Sequence, residues 1–303
     1  MLKLMLKPLV SVISVNYNQA ALTCAMVASL REVTYPNVEI IVVDNASPTD
    51  DPTVIVETYP EVKLIRSEAN LGFAGGNNLG IQQAQGAYLL FLNNDTEVAP
   101  DFLEPLVELF ENNSQAGIAS PKIIFYGTDN VIQYAGSTGI NPWTGRSKGI
   151  GSQETDMGQY NTSMQTALAD GAAMMVPRRV IDQVGLMPEM YFLYYEELDW
   201  CEMIKRAGFT CHYIANSTIY HKESMSVGKV SVLKTYYMNR NRLLFIRRNI
   251  KGWPFWSSTF IFFMAAIPKK TVQFALRLQG KHLVAIGRGL WWNFTNINRS
   301  KAG

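Results

Sequence analysis

Short apolar runs alternate with segments of helical period in the first third of the chain. Residues 9–15 (LVSVISV), 39–43 (EIIVV), 62–66 (VKLIR) and 87–92 (AYLLFL) are rich in β-branched and aromatic residues and predict strands. Residues 20–31, 50–59, 74–85 and 101–111 read as helices; Pro52 suits a first helical turn, and Gly86 stands at a helix end. Strands that alternate with helices imply an α/β fold with a mainly parallel sheet, which binds ligands at the carboxyl ends of its strands. Asn16, Asp44 and Asp95 fall at or just after such ends.

Further along the pattern changes. Residues 120–165 are rich in Gly, Ser, Thr and Asn, include Trp143, and predict mobile hairpins and loops. Residues 167–176 read as one apolar strand interrupted by Asp170 and Gly171. Residues 196–207 predict a helix stopped by Gly208, and residues 232–249 a basic amphipathic helix. There is no internal repeat and no low-complexity segment.

Composition sets the outer limits. With 303 residues, 48% of them apolar and 17% charged, the chain can bury a sizeable core in one large or two modest domains, which excludes a disordered chain. Cys24, Cys201 and Cys211 show no C-x-x-C pairing, which argues against a zinc ribbon or a disulfide scaffold and suits a reducing cytoplasm.

Charge divides the chain. Residues 1–221 carry 12 Lys and Arg against 24 Asp and Glu, net −12; residues 222–303 carry 15 against the single acid Glu223, net +14. A basic terminal segment suits an anionic partner, either nucleic acid or a membrane surface. The uncharged stretch 252–268 (GWPFWSSTFIFFMAAIP) has 17 residues, the short limit for a membrane span, and contains Pro254 and Pro268. Lys251, Lys269 and Lys270 flank it, and Arg277, Lys281, Arg288, Trp291 and Trp292 follow, a mixture that favours the lipid–water interface. The aromatics are bunched rather than interleaved with basic residues, which argues against nucleic acid. The expectation is a membrane-associating helical tail; the alternative is a helix packed on the main domain. At the other end, Pro8 breaks the apolar run of MLKLMLKPLV and no small-x-small site precedes Asn16, so the segment reads as a buried first strand rather than a leader.

Several residues carry candidate chemistry. Residues 70–80 (NLGFAGGNNLG) follow a predicted strand and open a predicted helix, but match neither G-x-G-x-x-G nor a P-loop. Gly72, Gly75 and Gly76 let backbone approach a ligand beside Asn77; a tight turn and helix start calls for the same residues. Asp95, between Asn94 and Thr96, suits a divalent cation beside a diphosphate, or a turn. Glu196 and Glu197 follow the aromatic run YFLYY (191–195). Desolvation and mutual repulsion raise the pKa of paired acids, as a general base requires, whereas an acidic first turn also complements a helix dipole. Successive helical residues do not share a face, so at most one of the two points at a substrate. His221 suits a metal or phosphate contact, or a structural role.

In order and spacing, SVISVNYN, IIVVDNAS, NLGFAGGNNLGI, FLNNDTEV, DGAAMMV, YFLYYEELDWCEMIKRAGF and NRNRLLFIRRN resemble the family 2 glycosyltransferases, most nearly their rhamnosyltransferase-like branch, over roughly residues 8–250. The resemblance implies a GT-A fold. Residues 1–250 would form the catalytic domain, about 1–115 its nucleotide-sugar half and 116–250 its acceptor half, with 251–303 as the basic aromatic tail. It also implies an inverting transfer from a nucleoside-diphosphate sugar. Asn16 and Asp44, with Asn45, would hold the nucleoside, and Gly72, Gly75, Gly76 and Asn77 would lie beside the nucleotide. Asn94 and Asp95 stand in the D-x-D-like motif, which here keeps one acid. Asp95 and His221 would hold a divalent cation, Mn²⁺ or Mg²⁺. Glu197 matches the usual base, with Glu196 as the fallback; Glu is one carbon longer than the more usual Asp. The combined expectation is a cytoplasmic enzyme, peripheral at the inner face of the cell membrane. It would move L-rhamnose from dTDP-rhamnose to a polyprenyl-linked glycan in surface-polysaccharide or O-antigen assembly, with no nucleic acid partner. The alternatives are a soluble UDP-hexose-dependent transferase and a non-catalytic nucleotide-sugar-binding subunit.

Overall fold

A computed structural model describes residues 7–222 and 231–297; the start of the N-terminal run and Glu223 lie outside the described residues. The first part of the chain comprises β1 (Val10–Asn16), α1 (Ala20–Leu30), β2 (Val38–Asp44), α2 (Thr53–Thr58), β3 (Lys63–Arg66), α3 (Gly72–Gln83), β4 (Tyr88–Leu92), β5 (Thr96–Val98) and α4 (Leu103–Asn112). Then follow β6 (Ala116–Phe125), β7 (Ile132–Tyr134), β8 (Met164–Thr166), β9 (Ala173–Pro177), α5 (Arg178–Val184), α6 (Glu196–Arg206), β10 (Thr210–His221) and α7 (Val232–Asn249). The tail holds α8 (Trp253–Ile261), α9 (Ile267–Leu276) and α10 (Gly280–Thr295), with a π-helical turn at Phe262–Ala266 joining the first two.

The strands form one sheet, ordered β3-β2-β1-β4-β9-β6-β10-β5, with β7 on β6 and β8 on β10. β3, β2, β1 and β4 run parallel, as the strand–helix alternation predicts. Beyond β4 the sheet is mixed: β9 lies antiparallel to both β4 and β6, β10 is parallel to β6, and β5 is antiparallel to β10. The β1–β2 register sets Asn16 opposite Asp44.

Both faces of the sheet are covered, which is why its central strands read as continuous apolar runs. Period two sorts their side chains between two cores. Val12, Val42 and Leu90 join Met26 of α1 and Leu106 of α4 on one face. Ile13, Ile41 and Phe91 join Ile81 of α3 and Trp200 of α6 on the other. Phe91 and Trp200 meet edge-to-face at 5.4 Å. Each such buried side chain contributes roughly 1.5–3 kcal/mol, so packing outweighs the poor helix propensity of the glycines in α3. Those glycines have a use: a Cβ at Gly80 would lie 2.3 Å from Ile13 Cγ2, so α3 sits on β1 at a distance a larger residue would forbid.

Two expectations need correction. The apolar run 167–176 is not one strand: β8 ends at Thr166 and β9 begins at Ala173. Between them Asp170 Oδ1 accepts from Ala172 N at 2.9 Å, a local turn that competes with strand pairing. α7 has the predicted span but no solvated basic face in its middle, because residues 239–246, Arg240 and Arg242 included, are all buried. The helix lies between body and tail, with Leu244 and Phe245 on Tyr191 and Leu243 on Phe262 and Ala266.

One face of the tail is thus packed on the main domain. α10 lies so close to α7 that a Cβ at Gly289 would be 3.0 Å from Tyr236 O, and Asn293 Nδ2 donates to Arg240 O at 2.9 Å. The other face is open. Trp253, Trp256, Phe260 and Met264, three or four residues apart, form an exposed stripe, and Trp291 and Phe294 are exposed on α10. Among the described residues, no helix is long and apolar enough to cross a membrane.

Candidate active site

The carboxyl ends of β1, β2 and β4 carry a closed polar chain. Asn16 Nδ2 donates to Asp44 Oδ1 at 2.9 Å, and Ser47 Oγ donates to the same oxygen at 2.5 Å. Thr23 Oγ1 donates to Asn16 Oδ1 at 2.9 Å and accepts from Asn94 Nδ2 at 3.0 Å. Asn16, Asp44, Thr23 and Asn94 are all buried, where an unpaired polar group would be costly. Next to them, Asn45 Nδ2 donates to Gly72 O at 3.0 Å and Asn45 Oδ1 accepts from Leu71 N at 2.9 Å, which ties the end of β2 to the start of α3.

The glycine-rich stretch faces protein on several sides. Gly72 has φ +71°, and a Cβ there would lie 2.1 Å from Phe192 O. Phe73 N donates to that same carbonyl at 2.7 Å. A Cβ at Gly75 would meet Leu71 at 2.6 Å, and one at Gly76 would meet Val15 at 2.9 Å. Asn77 is buried, its Nδ2 donating to Phe73 O at 3.0 Å. The stretch therefore does what a tight turn and helix start requires. It also ties α3 to the chain between α5 and α6: Asn78 Nδ2 donates to Met187 O at 3.0 Å, and Asn78 Oδ1 accepts from Met187 N at 3.1 Å.

Asp95 and His221, 126 positions apart in sequence, are brought together by the antiparallel pairing of β5 with β10. His221 Nε2 lies 3.0 Å from Asp95 Oδ1, and Nδ1 lies 2.9 Å from Gln133 Oε1. Among the described residues no cluster of three or more His, Cys, Asp or Glu is placed to hold a metal. A carboxylate–imidazole pair nevertheless fits a divalent cation that fills its remaining positions with phosphate oxygens and water.

His221 and Gln133 line a cleft of about 800 Å³ together with Asn93, Asp170, Glu196 and Glu197. The backbone turns sharply into this cleft: Phe192, Tyr194 and Tyr195 have φ of 64°, 68° and 80°, left-handed values rarely adopted by aromatic residues. α6 then starts at Glu196. Both glutamates have pKa values raised above the ordinary 4.5, burial being the main cause for each. The charge of Glu197 adds to the shift of Glu196, and that of Asp170 to the shift of Glu197. A Cβ at Gly171 would lie 3.5 Å from Glu197 Cγ, so a residue with no side chain leaves room beside that glutamate. Glu196 is 3% exposed, and its Oε2 is buried without a hydrogen-bond partner.

Sequence reasoning overlooked the supports of this turn. Asn241 Nδ2 donates to the carbonyls of Tyr191, Leu193 and Tyr194 at 3.0, 2.8 and 2.7 Å. Arg240 donates to Met190 O and Tyr191 O at 2.7 and 2.6 Å. It also overlooked Asp170, Gln133, and the cations Arg146, Arg242 and Lys270 that line the cleft. Asp170 had a signal, an Asp-Gly pair breaking an apolar run; Gln133, in a glycine-rich loop region, had none.

Comparison with known proteins agrees with this geometry. The family model described as Glycosyl transferase family 2 matches residues 11–184, and the chain belongs to that family. It is 24% identical over 270 residues to the N-acetylglucosaminyl-diphospho-decaprenol L-rhamnosyltransferase of Mycobacterium tuberculosis, covering 80% of this chain and 85% of the relative. It is 25% identical over 238 residues to the dTDP-rhamnosyl transferase RfbF of Shigella flexneri, covering 74% and 75%. The mannosyltransferase PcManGT from Pyrobaculum calidifontis, solved with GDP-Man and Mn²⁺, superposes with a TM-score of 0.59 at 17% identity, over 95% of this chain and 88% of that one. S. aureus TarS 1–349 in complex with UDP-GlcNAc gives 0.60 at 17% identity, over 93% and 80%. The chain is a glycosyltransferase with an α/β GT-A fold, and inversion is typical of its family.

Proposed function

We propose that the enzyme transfers L-rhamnose from dTDP-rhamnose to a hydroxyl of a polyprenyl-diphosphate-linked glycan during surface-polysaccharide assembly. The observation that carries this reading is that two relatives named as rhamnosyltransferases align over 80% and 74% of the chain. The polar chain of Asn16, Asp44 and Asn94 at the strand ends holds the nucleoside side of the donor, and Asn77 belongs to the same half. Glu197 removes the acceptor proton as the acceptor oxygen attacks the anomeric carbon opposite the leaving dTDP; the new C–O bond forms as the old one breaks, and the proton rests on Glu197. Glu196 beside it is the fallback base. A raised pKa makes the carboxylate a stronger base than an exposed glutamate, able to accept a proton near neutrality. Asp95 and His221 would hold a divalent cation, which would supply charge neutralisation for the diphosphate. The halves of the domain fix donor and acceptor in one cleft, which supplies the entropic part of catalysis.

The exposed Trp253–Trp256–Phe260–Met264 stripe, flanked by the exposed Lys251 and Lys269, supports peripheral binding at the inner face of the cell membrane. Incubation of the full chain with radiolabelled dTDP-rhamnose, UDP-hexoses or GDP-mannose and a synthetic N-acetylglucosaminyl-diphospho-prenol tests the transfer. Label should enter the lipid extract from dTDP-rhamnose alone; label only from a UDP-hexose, or only on a water-soluble glycan, overturns the proposal. Flotation with anionic against neutral liposomes tests the membrane part, and equal or absent flotation sinks it.

A further inference from the structure

Four cations line the cleft: Arg146 from the turn after Trp143, Lys234 and Arg242 from α7, and Lys270 from α9. Lys234 lies over the Tyr194 ring; among the described residues no carboxylate pairs with Arg146, Arg242 or Lys270. Arg242 is 8% exposed; one terminal nitrogen donates to Thr144 O at 2.9 Å, and its Nε is buried without a hydrogen-bond partner. Burial lowers the pKa of Arg242 and of Lys270, and the neighbouring cations lower both further. Like charges held together in a partly dry site are unfavourable until an anion arrives. The same cations act on Tyr195: burial pushes its hydroxyl up to about 12, Arg242 and Arg146 oppose the rise, and Glu197 adds to it. Tyr195, the paired acids and the cations Arg146, Arg242 and Lys270 line the same cleft.

We propose that Arg146, Arg242 and Lys270 form a second anion subsite, separate from Asp95 and His221, that takes the diphosphate of the lipid-linked acceptor. This rests on the acceptor class proposed above. The position of the tail favours acceptor over donor. Lys270 comes from the tail itself, and the Arg146 turn lies against it, with Ser257 Oγ donating to Trp143 O at 3.2 Å and a Cβ at Gly145 placed 3.7 Å from Ser258 Cβ. Trp143 also lines an apolar groove with Trp253, Trp256, Phe260 and Met264, which gives a prenyl chain a path away from the cations. The acceptor's charged group then lies at the basic side of the cleft and its sugar hydroxyl at the acidic side.

The test measures binding of N-acetylglucosaminyl-diphospho-decane and of the neutral decyl N-acetylglucosaminide to the full chain, without metal, donor or bilayer. The diphosphate ligand should bind at least about tenfold more tightly, as charge-assisted hydrogen bonds imply. Lys270→Gln and Arg146→Gln should each remove about tenfold for that ligand only, and Lys148→Gln, an exposed neighbour of Arg146 outside the cleft lining, should change nothing. Arg146 is exposed, so its variant keeps the test valid where Lys270→Gln lowers the melting temperature. Variants that keep the preference overturn the subsite, as does competition by dTDP, which assigns the cations to the donor. A cluster that needs anionic vesicles before it responds is a lipid-headgroup site, which also overturns it. No preference in the wild type, with rhamnosyl transfer to the diphosphate acceptor intact, removes the subsite and leaves the acceptor class standing. Transfer to the neutral glycoside alone removes the acceptor class.

Discussion

Asn241 on α7 holds the carbonyl of Tyr194 at 2.7 Å, two residues before the paired acids that open α6. Tyr194 and Tyr195 are left-handed, at a cost of roughly 1–2 kcal/mol each, and α7 is what keeps them so. Asn241→Ala should lower stability by about 2–4 kcal/mol, because it removes the donor shared by three carbonyls and the acceptor of Arg240 Nε at 2.7 Å. It should lower kcat with little change in dTDP affinity, because Asn16 and Asp44 sit on β1 and β2. Calorimetric titration beside kcat checks this; a parallel loss of both would mean that the residue only holds the fold.

Glu197→Gln should reduce kcat by about 10²–10⁴, the usual contribution of a general base, while donor binding survives. The same substitution at Glu196 should have the smaller effect. A reversed order, measured at saturating donor, assigns the base to Glu196.

The pH profile depends on Asp170. Its negative charge adds to the raised pKa of Glu197. Asp170→Asn keeps an oxygen for Ala172 N but removes that charge, so the acid limb of kcat should move to lower pH. A limb that stays in place would show that Asp170 does not face the base in solution.

Glu196 links pH to stability. Its folded-state pKa lies above the ordinary 4.5, so the folded state binds a proton that the unfolded chain has already released. Its contribution is complete below pH 4.5 and is lost as pH rises through the folded pKa. Glu196→Gln removes this titration. Wild type should therefore lose stability relative to the variant as pH rises through that window, at up to about 1.4 kcal/mol per pH unit. Denaturant unfolding of both proteins across the window measures it.

The joint between α6 and α7 should be the most sensitive structural contact. Asp199, fully buried, accepts from Arg248 Nε and Asn249 Nδ2, each at 2.7 Å. Asp199→Ala leaves Arg248 charged without this partner, a loss of about 3–5 kcal/mol. The melting temperature should fall accordingly, and an unchanged value would show that the pair is solvated.

The parallel half of the fold was legible because each of its strands is buried on both sides. Val42 and Val43 go to opposite cores, so the whole run had to be apolar, and the strand ends carrying Asn16 and Asp44 could be read directly. The paired acids were legible for a similar reason, since Glu196 and Glu197 sit directly behind an apolar aromatic run. α7 misled because arginine and asparagine are counted as surface residues. Arg240 and Asn241 spend their donors on backbone carbonyls of a turn some fifty positions earlier, and local periodicity does not register a partner at that distance. Lys270 was read with its neighbours as membrane-facing charge, yet the structure folds it back into the cleft.

The contact between Gly72 and Phe192 is made by main chain on main chain. The Phe192 ring is fixed as well, stacked on Tyr237 of α7 at 5.1 Å, so positions 72 and 192 are both constrained. The chain ahead of α6 is therefore fastened at one residue to two helices at once, by its carbonyl to the start of α3 and by its ring to α7. A loop grafted between α5 and α6 should keep Gly72 and an aromatic residue at position 192, because losing either releases the turn from one of its two supports.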